Sequence, residues 1–102
     1  MDVFYLTKKF PKEELYSLNS QIIRSSRSVS ANITEGWAKR EYENMFKQQL
    51  VHALGSCAET QNWLNFAKDC NYISQEEHQK FDTQLNTIGK MLNKLHQNWR
   101  SF

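Results

Sequence analysis

Three histidines, two cysteines and thirteen lysines and arginines are the side chains through which this 102-residue chain could do chemistry. A di-iron helical bundle needs Glu-x-x-His pairs projecting inward from its helices. No glutamate stands three residues before His52, His78 or His96. The three histidines fall on separate stretches without a second ligand close by, so neither a metal site nor a cofactor is expected. The pair used by some helical ribonucleases, an Arg followed four to six residues later by His, is absent as well. There is no phosphate-binding glycine loop and no nucleophile elbow. Cys57 and Cys70 read as lying on one helix, about 20 Å apart at 1.5 Å rise per residue. A disulfide needs Cα atoms within about 7 Å, so both read as small buried apolar side chains. The expectation is a protein that is not an enzyme.

The basic residues are a more promising set. Arg24 and Arg27 are three apart and share a helix face. Lys39 and Arg40 fall at a helix turn, with Lys47 one to two turns on. Lys90, Lys94 and Arg100 all follow the last acidic residue, Asp82. Arg24, Arg27, Lys39, Arg40, Lys47, Lys90 and Lys94 are therefore the candidates for contacting nucleic acid. A solvated helix face accounts for each cluster taken singly. The net charge of +2 neither demands nor excludes a nucleic-acid partner. Arg24, Glu35 and Glu59 read more simply as partners in ion pairs between helices than as a site.

Helices must position these groups. Three glycines and one proline are too few for sheets and long loops, and the 39% apolar fraction can build one core. The chain reads as one domain over residues 1–102: an all-α, antiparallel, up-down four-helix bundle with a short first helix. That helix spans Asp2 to Lys9 and is broken at Phe10-Pro11. Pro11 suits the first turn of a second helix, whose stripe of Leu15, Leu18, Ile22, Ser25, Val29 and Ile33 ends near Gly36, read as a left-handed cap. The third helix runs from about Glu41 to Cys70, with Phe46, Leu50, Ala53, Leu54, Cys57, Gln61 and Leu64 inward. Asn71 is a second left-handed cap. Ser74 through Glu77 is a capping box. Phe81, Leu85, Ile88, Leu92, Leu95 and Trp99 then step as a heptad seam.

Helices two and three, at roughly 40 Å, exceed the two-turn first helix, so part of the core should lie uncovered. Trp37, Tyr42, Met45, Trp63 and Phe66 fall off the inner stripes, and Phe102 adds to them. Such a surplus marks an interface, so these five are the candidates for contacts between copies in a homo-oligomer. No window approaches the ~20 apolar residues of a membrane span and no secretory leader is read at Met1-Asp2-Val3. A cytoplasmic location and no membrane partner are expected.

The run from Gln21 through Gly36, which includes Asn32-Ile33-Thr34-Glu35-Gly36, resembles the signature of the four helix bundle proteins, also called 23S rRNA intervening-sequence proteins. Tyr5-Leu6-Thr7, Phe10-Pro11, Ala53-Leu54-Gly55-Ser56, Glu59, Ala67 and Asn71-Tyr72-Ile73 fit the same family. The resemblance covers nearly the whole chain. It implies an up-down bundle assembling as a homopentamer. One branch of the family resembles the accessory variability determinant of diversity-generating retroelements, which implies RNA or DNA and a reverse transcriptase as partners. In a five-fold ring, +2 per chain becomes about +10, a useful field for phosphate backbones. The chain departs from the family in Ile23, where a basic residue is usual, in Ser30, where proline is common, and in Arg27, where an apolar residue is expected. Family members usually have a longer first helix, so the native start is expected upstream or the chain is a shortened member. The functional expectation is a non-enzymatic, oligomeric accessory or scaffold that binds nucleic acid. The competing expectation is an adaptor that binds only protein.

Overall fold

The computed structural model describes residues 3–101; the expectations for Asp2 and Phe102 lie outside them. Four α-helices follow in order: α1 (Val3–Thr7), α2 (Leu18–Ala38), α3 (Glu43–Asp69) and α4 (Gln75–Asn98). A single 3-10 turn, Lys12–Glu14, lies between α1 and α2. Consecutive helices run antiparallel. Phe10 packs on Tyr72 at 5.6 Å between ring centroids at one end of the molecule, and Trp99 on Phe46 at 4.8 Å at the other.

The second helix begins later than its periodicity suggests. Pro11 initiates only the 3-10 turn, and Ser17, at φ −119° and ψ −92°, interrupts the chain before Leu18. The Ser17 hydroxyl bonds back to the Glu14 carboxylate at 2.7 Å, a local bond that competes with helix continuation. Leu15 is therefore not a core residue; it is half exposed. With 21 residues, α2 is about 31 Å long rather than 40 Å.

Gly36 is no left-handed cap. No glycine among the described residues has positive φ, and Gly36 lies buried inside α2. A Cβ there would stand 2.9 Å from Gln49 Cβ, so the missing side chain lets α2 approach α3. The same seam carries Ser28 against Ser56 and Ser25 against Thr60, each pair 2.9 Å apart between hydroxyl oxygens. Gly55 on α3, by contrast, faces open space.

The α3–α4 connection follows the sequence closely. Asn71 adopts φ 61°, and the Asn71 and Tyr72 amides donate to Lys68 and Ala67, closing the end of α3. The Ser74 hydroxyl accepts from the Glu77 amide while the Glu77 carboxylate accepts from the Ser74 amide. Glu77 also pairs with Lys9, which ties the turn after α1 to α4. The core consists of Ile22, Phe46, Leu50, Leu64 and Leu85, all nearly inaccessible, with Val3, Leu6 and Phe10 closing one end. Cys57 is buried and Cys70 exposed, which corrects the expectation that both are core residues. Burial pushes the Cys57 thiol pKa up.

Candidate nucleic-acid interface

At the end of the bundle where α2 turns into α3, the C-terminal segment folds back across the turn. Trp99 leaves α4 with extended backbone yet stays over the core, its ring 6.0 Å from Trp37 and 4.8 Å from Phe46. Its indole N–H donates to Ser101 Oγ at 3.0 Å. The Ser101 hydroxyl donates to the Arg40 carbonyl, and the Ser101 amide donates to Glu43 at 3.1 Å. That amide bond, helped by Lys47 at 3.4 Å, lowers the pKa of the Glu43 carboxyl below the ordinary carboxylate value. The turn is thus held by polar groups that follow the seam.

The turn presents an aromatic and basic surface. The Arg40 guanidinium lies 4.3 Å from the Trp37 ring centroid and donates to the Trp37 carbonyl at 3.0 Å. Trp37 is 53% exposed and Tyr42 64% exposed. An arginine stacked on an exposed indole, with a second exposed ring two residues farther along the chain, offers π-faces for bases and a cation for phosphate.

The other candidates are distributed unequally. Lys39 pairs with Glu35 at 3.4 Å, and Lys47, mostly covered, pairs with Glu43; both lie at this end with Arg40. Arg24 and Arg27 sit toward the opposite end of α2, beside α1, where Arg24 reaches Glu59 at 3.6 Å. Lys90 and Lys94 lie on α4, Lys90 toward α3 and Lys94 beside Met91 and Leu95. Among the described residues Arg27, Arg40, Lys90 and Lys94 make no ion pair.

Of the interface candidates, Met45 and Phe66 are about half exposed on α3. Trp63 departs from expectation: it packs partly against the core, and its buried indole N–H has no partner among the described residues. It stands 18 residues from Met45, five turns of α-helix, so the two share a face. Sequence reading missed the contribution of Trp99 and Ser101 to the turn. Trp99 was legible as a seam residue, but nothing in Arg100-Ser101 signals a return to Arg40. No group of three or more His, Cys, Asp or Glu among the described residues could hold a metal ion. No helix of the described residues is long and apolar enough to cross a membrane.

Comparison with known proteins places the chain. It belongs to the 23S rRNA-intervening sequence protein family, whose model matches residues 1–94. Its fold is similar to that of a crystal structure from Bacteroides thetaiotaomicron VPI-5482, described as a protein of unknown function from the S23 ribosomal protein family. The two are 26% identical with a TM-score of 0.83 over 92% of this chain and 87% of that one. No curated protein matches.

Proposed function

We propose that this member of the 23S rRNA-intervening sequence protein family is a non-enzymatic, self-associating bundle that binds nucleic acid as an accessory or scaffold. The observation that carries the reading is Arg40 stacked on the half-exposed ring of Trp37. Neighbouring Tyr42 adds a second exposed π-face, so the surface suits unpaired bases and phosphates better than the edges of a duplex groove. Self-association repeats this surface around the assembly, which multiplies its charge toward a phosphate backbone. The exposed Met45 and Phe66 on α3 support contacts between copies.

Fluorescence anisotropy of labelled single-stranded RNA, structured RNA and duplex DNA, titrated at low and physiological salt, tests the reading. Single-stranded or loop-containing RNA should bind most tightly, with affinity falling steeply as salt rises. Absence of binding at low salt would remove nucleic acid and leave the adaptor reading.

A further inference from the structure

Two donors from beyond the end of α4 converge on one backbone oxygen of the α2–α3 turn. The Ser101 hydroxyl donates to the Arg40 carbonyl. The Trp99 indole N–H shares its one proton between Ser101 Oγ at 3.0 Å and the same Arg40 carbonyl at 3.4 Å. The Ser101 amide donates to Glu43, the first residue of α3, at 3.1 Å. Carbonyls at a helix end lack partners within the helix, so without these donors the Arg40 peptide would be free to turn toward solvent. The guanidinium that lies 4.3 Å from the Trp37 ring hangs from that same residue.

Between the two anchors the chain carries Arg100. It is exposed and makes no ion pair among the described residues. Its guanidinium folds back on the end of α4, donating to the Trp99 carbonyl at 2.7 Å and the Gln97 carbonyl at 3.4 Å. Adjacent Cα atoms stand about 3.8 Å apart, so Arg100 is one step from the residue that touches Arg40. The carboxyl pKa of Glu43 is lowered first by the Ser101 amide and last by the charge of Arg100, which sets that charge within electrostatic reach of the start of α3. Most other charges here pair off, Lys39 with Glu35 and Lys47 with Glu43. Arg40 and Arg100 are left against exposed Glu41. A guanidinium keeps its charge throughout the physiological range and meets phosphate oxygens with two N–H groups at once.

We infer that the segment after α4 is part of the nucleic-acid surface: Arg100 supplies a second phosphate contact beside Arg40, and Ser101 is the positioning residue that holds the Arg40 turn in place. This rests on the nucleic-acid reading proposed above and adds two residues to it. Arg100 acts by charge and Ser101 by geometry, and salt dependence separates the two roles.

The test titrates labelled single-stranded RNA with the native chain and with Arg100→Gln, Ser101→Ala, Ser101→Thr and Lys80→Gln at several salt concentrations. Lys80, in the second turn of α4, is the control for loss of a charge at the far end of the bundle. Arg100→Gln should weaken binding at low salt and reduce the salt slope by about 0.7, the value of one phosphate on a single strand. Ser101→Ala should weaken binding about fivefold, the worth of about one hydrogen bond, with the salt slope and helical circular dichroism unchanged. Ser101→Thr, which keeps the hydroxyl, should bind as the native chain does. Unchanged binding in either Arg100→Gln or Ser101→Ala, while Trp37→Ala/Arg40→Ala binds weakly, overturns the proposal and leaves the nucleic-acid reading standing. An equal loss of slope in Lys80→Gln also overturns it, because net charge alone is then responsible. Absence of RNA binding by the native chain at low salt overturns both.

Discussion

The hydroxyls of Thr60 and Ser25 meet 2.9 Å apart in the buried seam between α2 and α3. Thr60 is wholly inaccessible, and its hydroxyl also reaches the Ser56 carbonyl at 2.8 Å. Ser25 reaches the Ile22 carbonyl at 3.2 Å. With one proton each, the two hydroxyls make two of these three bonds at a time, one to the carbonyl of its own helix and one across the seam, and the bond across the seam fixes the register between two long helices that a purely apolar seam would leave free to slide. Thr60→Val preserves the volume and removes the bond. It should destabilise the bundle by about 1 kcal/mol, measured by urea denaturation, while Thr87→Val on the exposed face of α4 should have little effect.

The two glycines of α2 and α3 should respond oppositely to alanine. At Gly36 the added Cβ meets Gln49 Cβ at 2.9 Å, a contact that only separation of the helices relieves. The expected loss is about 1–3 kcal/mol, despite the gain in helix propensity. At Gly55 nothing lies within 4 Å, so Gly55→Ala should stabilise by about 0.5–1 kcal/mol. Thermal melts of both variants check the contrast.

Glu77 carries an acid-sensitive part of the stability. Its carboxyl pKa is lowered by the Lys9 hydrogen bond first and by the Ser74 amide next. A carboxyl whose pKa is depressed by folding adds stability above its unfolded pKa and loses it as pH falls through the folded value. Stability should therefore decline below about pH 5, and Glu77→Gln should be weaker near neutrality with a flatter acid limb. Urea midpoints at a series of pH values provide the comparison.

Self-association should depend on the exposed face of α3. Met45→Glu with Phe66→Glu should lower the mass seen by sedimentation velocity without loss of helical signal, because neither side chain belongs to the core. An unchanged mass would move the interface elsewhere.

Much of the fold was legible because local signals acted alone. The Ser74–Glu77 capping box and Asn71 at φ 61° needed no tertiary information. The α4 stripe kept its register in Phe81, Leu85 and Leu92, which are buried. Gly36 was misread because glycine serves both left-handed caps and close packing, and only the position of Gln49 decides between them. Leu15 fitted the helical period but precedes the break at Ser17. The basic clusters were legible as charges. Which of them lay beside exposed rings was not, since Trp37 and Arg40 are joined by a turn whose geometry depends on Ser101, 61 residues from Arg40.

The measurement that bears most directly on nucleic-acid binding compares single-stranded RNA affinity of the native chain with that of Trp37→Ala/Arg40→Ala at two salt concentrations. Loss of one base stack is expected to cost about 1–3 kcal/mol, and loss of one phosphate contact to reduce the salt slope by about 1. The account predicts at least tenfold weaker binding and a shallower salt dependence in the double variant, with helical content and assembly mass retained. Binding of equal strength and equal salt slope in the two proteins would contradict it.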